Sequence, residues 1–460
     1  MRGVAAAFLG VAIATGASAQ NSKLMPRVEF NGPALTFDFP GLRIGVAEYD
    51  DGPTGTTVFY FPDKVMGVVD VRGGAPGTIF TDSLRLGRRD RWLDGVVFSG
   101  GSAYGLAAAT GAAAALKAQR VRDGQWRSAA IFPGAIIYDI YGRRLSTVTP
   151  DEALGKAALN AAVEGRFPLG PRGAGRSAMQ GYFFADAGAG WRDWPHSGQG
   201  GAFRQLGPTK IAVFTVVNAL GAVVDRRGRV VRCSYAPAQK DCGTIEQALA
   251  RRLPPLMAGS RTGDGEVESS SLSSNTTVTL VVTNQKLEVR ELQRLAVQVH
   301  GSMARGIQPY STMEDGDVLF AVTTSEVDNS ALPAMDLSTI ASEVAWDAIL
   351  ASVPPQDAVR PAAPIPVSQA ELDRLVGTYE FPSGARVTVG RDGAQLRTAL
   401  TGMGGLFFAE DGNLLVPVAP REFLIEGPRG DRVRFDLNRG PATAMILNPG
   451  QWAQIAKRVR

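Results

Sequence analysis

Between residues 268 and 283 the chain changes character within a few positions, and few local geometries accommodate the change. The run Glu268-Ser269-Ser270-Ser271-Leu272-Ser273-Ser274 is Ser-rich and has no apolar periodicity. From residue 277 to 283, β-branched residues alternate with Val278, Leu280 and Val282, the pattern of a buried strand. Asn275-Thr276-Thr277 is the junction. Scission before Thr276 would leave a threonine heading a strand. Such a residue carries its own base, because a free α-amino group titrates at about 7.7–8 and can take the hydroxyl proton. Taken alone, the pattern also fits a plain surface loop entering a sheet.

What the chain lacks favours the self-contained nucleophile. Its only histidines are His196 and His300, and its two cysteines, Cys233 and Cys242, lie apart from both. A Ser-His-Asp or Cys-His mechanism is therefore poorly supplied. There is no His-Glu-x-x-His pair and no Asp-rich calcium loop, so no metal or other cofactor is expected. At 460 residues, 45% hydrophobic, 20% charged and net +4, the composition is that of a soluble protein large enough for two domains. Arg85, Arg88, Arg89 and Arg91 read as a solvated face, and no basic stripe interleaved with aromatics points to nucleic acid.

Arg2, the apolar stretch from Val4 to Ala14 and Ala17-Ser18-Ala19 have the charge, length and small-residue cleavage site of a secretory signal peptide, residues 1–19. No stretch is long enough to span a membrane. A periplasmic or secreted location follows, in which Cys233 and Cys242 could close a small disulfide loop; two free thiols are the alternative. Residues 353–367 are Pro-rich and read as an extended linker. Beyond them, residues 368–460 show short strands such as Gly377-Thr378-Tyr379-Glu380 and Arg432-Val433-Arg434-Phe435, a small β-barrel or sandwich. With no convergent polar cluster, this part reads as a spacer, lid or oligomer contact.

Several candidate site residues can be read locally. Asp315-Gly316-Asp317 places two carboxylates around a glycine that tolerates positive φ, able to hold an ammonium or hydroxyl between them. An Asp-Gly hairpin turn with solvated acids is the plainer reading. Asn218 ends an apolar strand over residues 211–217, where its amide could donate to an oxyanion. Gly100-Gly101-Ser102 follows the strand at Gly95-Val96-Val97-Phe98 and precedes an Ala-rich helix over residues 103–119. Its amides could meet an oxyanion or a substrate carboxylate, or Ser102 could simply cap the helix. No Gly-Lys-Ser/Thr follows, so it is not a phosphate loop. Leu292, Leu295, Ala296, Val299 and Met303 share one helical face, with His300 beside it as a packing or surface residue.

Asp70-Val71-Arg72-Gly73-Gly74-Ala75-Pro76-Gly77-Thr78, Ser99-Gly100-Gly101-Ser102-Ala103-Tyr104-Gly105-Leu106, Val216-Val217-Asn218-Ala219-Leu220-Gly221, Asn275-Thr276-Thr277 and Asp315-Gly316-Asp317 occur in that order. Over roughly residues 35–330 they resemble the self-processing D-aminopeptidase/β-aminopeptidase family, which includes nylon-oligomer hydrolases. The resemblance implies an αββα sandwich of the N-terminal-nucleophile, ornithine acetyltransferase-like type over residues 20–352. It also implies self-cleavage between Asn275 and Thr276 into subunits 20–275 and from 276, and a homo-oligomer of processed pairs. Thr276 would be the nucleophile of the threonine branch, with Asp315 and Asp317 orienting it, Asn218 holding the oxyanion and Tyr138 a further site residue. The implied activity is that of an aminopeptidase-like amidase on small peptides or related amides through acyl-Thr276. Acyl transfer and an unprocessed, inactive binding protein are the alternatives. One departure stands out: where relatives carry Lys-Gly-Gly, this chain has Gln199-Gly200-Gly201, after an aromatic-rich insertion within residues 181–203.

Overall fold

The computed structural model describes residues 24–85, 91–184, 195–233, 242–250, 275–354 and 363–459, except 403–404, 406, 410 and 428–429. The expected signal peptide, the Ser-rich run and most of the Pro-rich segment lie outside these residues. Among the described residues no helix is long and apolar enough to cross a membrane.

Four layers build residues 34–354. Helices Ala107–Arg122 and Glu152–Asn160 cover one β-layer, and helices Val289–Ser302 and Ala334–Ala351 cover the other. The two β-layers face each other across an apolar core that includes Ile44, Phe98, Phe214, Leu280 and Phe320. This is the αββα arrangement. The strand Thr54–Val71 joins the layers: its first half pairs with Arg43–Tyr49 and Trp92–Ser99, its second half with Val318–Val327. The register shifts between Tyr60 and Val65, where Lys64 takes φ 60°. Such a bulge bends a strand sharply enough to leave one layer for the next.

In the second layer, Thr276–Gln285 runs antiparallel to Thr209–Asn218 and parallel to Val318–Val327. All ten residues of Thr276–Gln285 are buried, as expected for a strand covered on both faces. The alternation seen in the sequence thus sorts residues between two apolar environments: Val278, Leu280 and Val282 face the inter-sheet core, and Val281 faces the helices. Leu292, Leu295, Ala296, Val299 and Met303 pack on that outer face. The Ala-rich helix departs from expectation at its start, opening as a 3-10 turn over Ser102–Leu106 with no side-chain cap from Ser102. Arg91 is another departure, being 7% exposed and donating to the Leu84 carbonyl.

Eight consecutive antiparallel strands from Gly377 to Arg458 close into a barrel, settling the choice between barrel and sandwich. Tyr379, Val387, Leu396, Phe423, Phe435 and Met445 fill its interior. Cys233 and Cys242 are joined as a disulfide with Cα atoms 5.6 Å apart.

Phe214 is the hub of the inter-sheet core, with ring centroids 4.9 Å from Phe167, 5.3 Å from Phe59 and 5.4 Å from Phe37. Phe214→Ala is expected to destabilise the sandwich by about 3–5 kcal/mol, read as a lowered denaturation midpoint in urea.

Candidate active site

Parallel pairing of Thr276–Gln285 with Val318–Val327 sets residues 275–277 beside residues 315–317. Val278 is opposite Val318, and three residues before that pair an isolated parallel bridge joins Asn275 to Asp315. On the other side the antiparallel register puts Asn218 directly opposite Thr276. Thr276, Asn218, Asp315 and Asp317 are therefore brought together at one end of the layer, all at most 3% exposed.

The carboxylates are held by amides. Asp317 accepts from the Thr277 N–H at 2.6 Å and the Ser311 N–H at 3.1 Å. Asp315 accepts from the Thr312 N–H at 3.0 Å, the Thr312 hydroxyl at 2.8 Å and the Leu220 N–H at 3.4 Å. Burial, and next the charge of Asp315, pushes the Asp317 carboxyl well above the ordinary carboxylate range, against the pull of the Thr277 and Ser311 amides. Burial likewise raises Asp315, against the Thr312 bonds. No cationic side chain is among the main influences on either group.

Gly316 has a different role from the one its sequence suggests. Its φ is not positive; what it supplies is space. A Cβ there would fall 2.6 Å from Thr276 Oγ1 and 2.7 Å from the Ala75 carbonyl oxygen. Its N–H donates at 2.6 Å to the carbonyl of Asn275, the bond that precedes Thr276. The Gly73-Gly74 pair serves the same turn from behind. Arg72 and Gly73 donate to the Asp317 carbonyl and Ala75 to the Asp315 carbonyl, so close that a Cβ on Gly73 would overlap the Asp315–Asp317 backbone. The motif 70–78 is thus a backbone cradle for the acidic turn, which residue types alone did not reveal.

The amide of Asn218 is oriented at both ends, Oδ1 accepting from the Met179 N–H at 3.0 Å and Nδ2 donating to the Tyr138 carbonyl at 2.9 Å. It is the main chain of Tyr138 that reaches this group; burial raises the pKa of its half-buried phenol. Gly100-Ser102 differs from the sequence reading. The three amides are taken internally: Gly100 donates to the Gly55 carbonyl, Gly101 to Asp139 Oδ1 and Ser102 to the Ile137 carbonyl. The turn therefore anchors residues 137–139 instead of presenting open donors. Gln199 is fully buried, accepting from the Thr57 hydroxyl and donating to the Pro168 carbonyl at 2.8 Å. His300 is also fully buried, with Nδ1 2.9 Å from Asp70. Asp70 in turn pairs with Arg72, at the start of the cradle.

The profile of Peptidase family S58 matches residues 34–360, the sandwich with the whole acidic-turn site. The chain belongs to peptidase family S58. It is 38% identical over 344 residues to a 6-aminohexanoate-oligomer endohydrolase of Kocuria sp. (strain KY2), covering 71% of this chain and 88% of that protein. It is 34% identical over 285 residues to an uncharacterized aminopeptidase of Mycobacterium leprae, covering 60% and 72%. A solved Burkholderia sp. beta-aminopeptidase aligns over 70% of this chain and 88% of that one, at 18% identity and a TM-score of 0.47. The S58 match ends before the barrel strands begin at Gly377.

A carboxyl whose folded pKa is raised binds more protons folded than unfolded, so its contribution to stability declines as pH climbs from about 3.9 toward the folded value. In a Thr276→Ala background, Asp317→Asn should remove that decline. Melting temperatures of the two proteins are expected to diverge in favour of the Asn variant as pH rises toward neutrality, and parallel curves would contradict the carboxyl's raised pKa.

Proposed function

We propose that this S58 protein cuts its own chain between Asn275 and Thr276 and then hydrolyses amide bonds of small peptides or related amides through acyl-Thr276. The observation that carries the reading is the Gly316 N–H on the Asn275 carbonyl, with Thr276 Oγ1 packed against the same glycine. Attack of that hydroxyl on the Asn275 carbonyl carbon turns the oxygen into an oxyanion facing a donor already in place. The C–N bond before Thr276 breaks, its nitrogen takes up the proton the hydroxyl released, and the acyl group rests on Oγ1 as an ester. Water then hydrolyses the ester, leaving a carboxylate at Asn275 and a free hydroxyl and amine on Thr276.

In turnover, the Thr276 amine takes the hydroxyl proton as Oγ1 attacks the substrate carbonyl and passes it to the departing amine; water releases the acyl group. Asp315 and Asp317 orient that amine, whose ammonium form supplies a cation to a buried acidic pair. Asn218 donates to the oxyanion through the Nδ2 hydrogen that Tyr138 does not take. Gln199 is neutral and bonded within the scaffold, so no lysine enters the scheme. Family membership and the relatives' names, aminopeptidase and 6-aminohexanoate-oligomer endohydrolase, support amide hydrolysis. The two pieces stay together after the cut, because Thr276–Gln285 pairs with Thr209–Asn218 and Val318–Val327 with the end of Thr54–Val71. Export directed by residues 1–19 and assembly of processed pairs complete the proposal.

Intact mass and N-terminal sequencing test the cut. Two fragments, the smaller beginning at Thr276, are expected from the unaltered chain and a single chain from Thr276→Ala. A single chain from both would sink the proposal. Gly316→Ala should fold yet cleave far more slowly, as followed by fragment appearance over time. With a linear 6-aminohexanoate oligomer and an aminoacyl p-nitroanilide as probes, Asn218→Ala is expected to lower kcat by about 10²–10³-fold.

A further inference from the structure

The barrel lies outside the S58 match, yet it is bonded to the two loops that hold Asn218. The first loop is residues 176–180 with its partner 195–197. Trp452 of the barrel stacks on His196 with ring centroids 3.9 Å apart and planes 5° from parallel, and its indole N–H donates to the Arg176 carbonyl at 2.8 Å. The Arg176 guanidinium returns two bonds to the Gln451 carbonyl, at 3.1 and 2.9 Å, and is 1% exposed. His196 is bridged to Met179, and Met179 is the residue whose N–H fixes Asn218 Oδ1.

The second loop is residues 138–145. Leu145 is buried among the barrel's own core side chains. Gln454, 1% exposed, accepts from the Leu145 N–H at 3.1 Å and donates to the Gly142 carbonyl at 3.2 Å. Within the same loop Arg143 pairs with Asp139 at 3.0 Å, and the neighbouring Tyr138 carbonyl holds Asn218 Nδ2. Gly142 also lies against the Met179 side chain, so the two loops meet.

We propose that the C-terminal barrel is a positioning element of the active site, with Trp452 and Gln454 fixing the Asn218 amide by clamping both loops that bond it. Neither residue touches substrate; both act through Asn218. The functional half of this inference rests on the proposed oxyanion role of Asn218, whereas its mechanical half does not. Losing the clamp lets the amide rotate or shift, and a displacement of about 1 Å at such a group can cost about 10²-fold in rate.

Two measurements on Trp452→Ala decide it. Amide hydrogen exchange should accelerate in residues 176–180 while the inter-sheet strands keep their protection; unchanged exchange in that loop would overturn the proposal whatever the activity. With the same oligomer and p-nitroanilide probes, kcat should fall by about 10- to 100-fold with KM nearly unchanged, and Trp452→Phe, which keeps the stack on His196, should recover most of it. In the double variant with Asn218→Ala, the Trp452→Ala loss should largely vanish, because both changes act on one group. A loss that persists undiminished in the double variant would place the effect elsewhere and refute positioning through Asn218. If Asn218→Ala itself leaves turnover intact while exchange still responds, the oxyanion reading fails and the mechanical coupling stands. Should Trp452→Ala fail to fold, Gln454→Ala breaks the second clamp and is judged by exchange in residues 138–145 and the same cycle.

Discussion

Parallel pairing between Thr276–Gln285 and Val318–Val327 is the constraint on which the site depends. Parallel strands begin at the same end, so whatever precedes one lies beside whatever precedes the other. Here that brings Asn275 and Thr276 against Asp315-Gly316-Asp317. Two carboxylates enter a buried place with no cationic side chain among the described residues bonded to them, which is costly unless their lone pairs are met by donors. The amides of Thr277, Ser311 and Thr312 meet them. The glycines at 73, 74 and 316 let three backbone segments come close enough for those bonds to form, at an entropic cost, because glycine loses more conformational freedom on folding than other residues.

The rest of the sandwich makes that arrangement rigid. Strands buried on both faces cannot slip by one residue without moving side chains between the inter-sheet core and the helix-facing core. Register is thereby tied to packing around Phe214 on one side and around helices Val289–Ser302 and Ala334–Ala351 on the other. Since register decides that Asn218 faces Thr276, the aromatic core some distance away sets the geometry of the end of the layer where Asn218, Thr276, Asp315 and Asp317 meet. The Asp70–Arg72 ion pair, with His300 against Asp70, buttresses the cradle, and burial holds the His300 imidazole below its ordinary range although Asp70 pulls it upward. Loops are less constrained than strands, and the loops bonding Asn218 take their support from the barrel.

Residue types and spacing carried much of this. The strand after Thr276, the apolar face of the following helix and the small β domain were legible, because periodicity of two or of 3.6 reports which faces are buried, whereas the αββα class followed from the resemblance to the family. The same sequence misled at Gly316 and at Gly100-Ser102. Gly316 looks like a place for a positive φ and Gly100-Ser102 like a source of open donors; the first is there for clearance against Thr276, and the second spends its amides on Gly55, Asp139 and Ile137. Arg91 looked solvated among turn residues and is buried instead. For Gly316 and for Gly100-Ser102 the deciding neighbours are tens of residues away along the chain, so no local pattern records them.

By itself the sequence determined several of the strands and helices, because hydrophobic burial acts through local periodicity, and Thr276 and the two aspartates stood out through the resemblance of their segments to the family. Only the tertiary structure decided that Gly316 donates to the Asn275 carbonyl, that Asn218 is gripped between Met179 and Tyr138, and that Trp452 and Gln454 of the barrel hold those same loops. These are contacts between segments tens to hundreds of residues apart. Their geometry is set by strand register and by close packing of whole layers, which no stretch of sequence specifies alone.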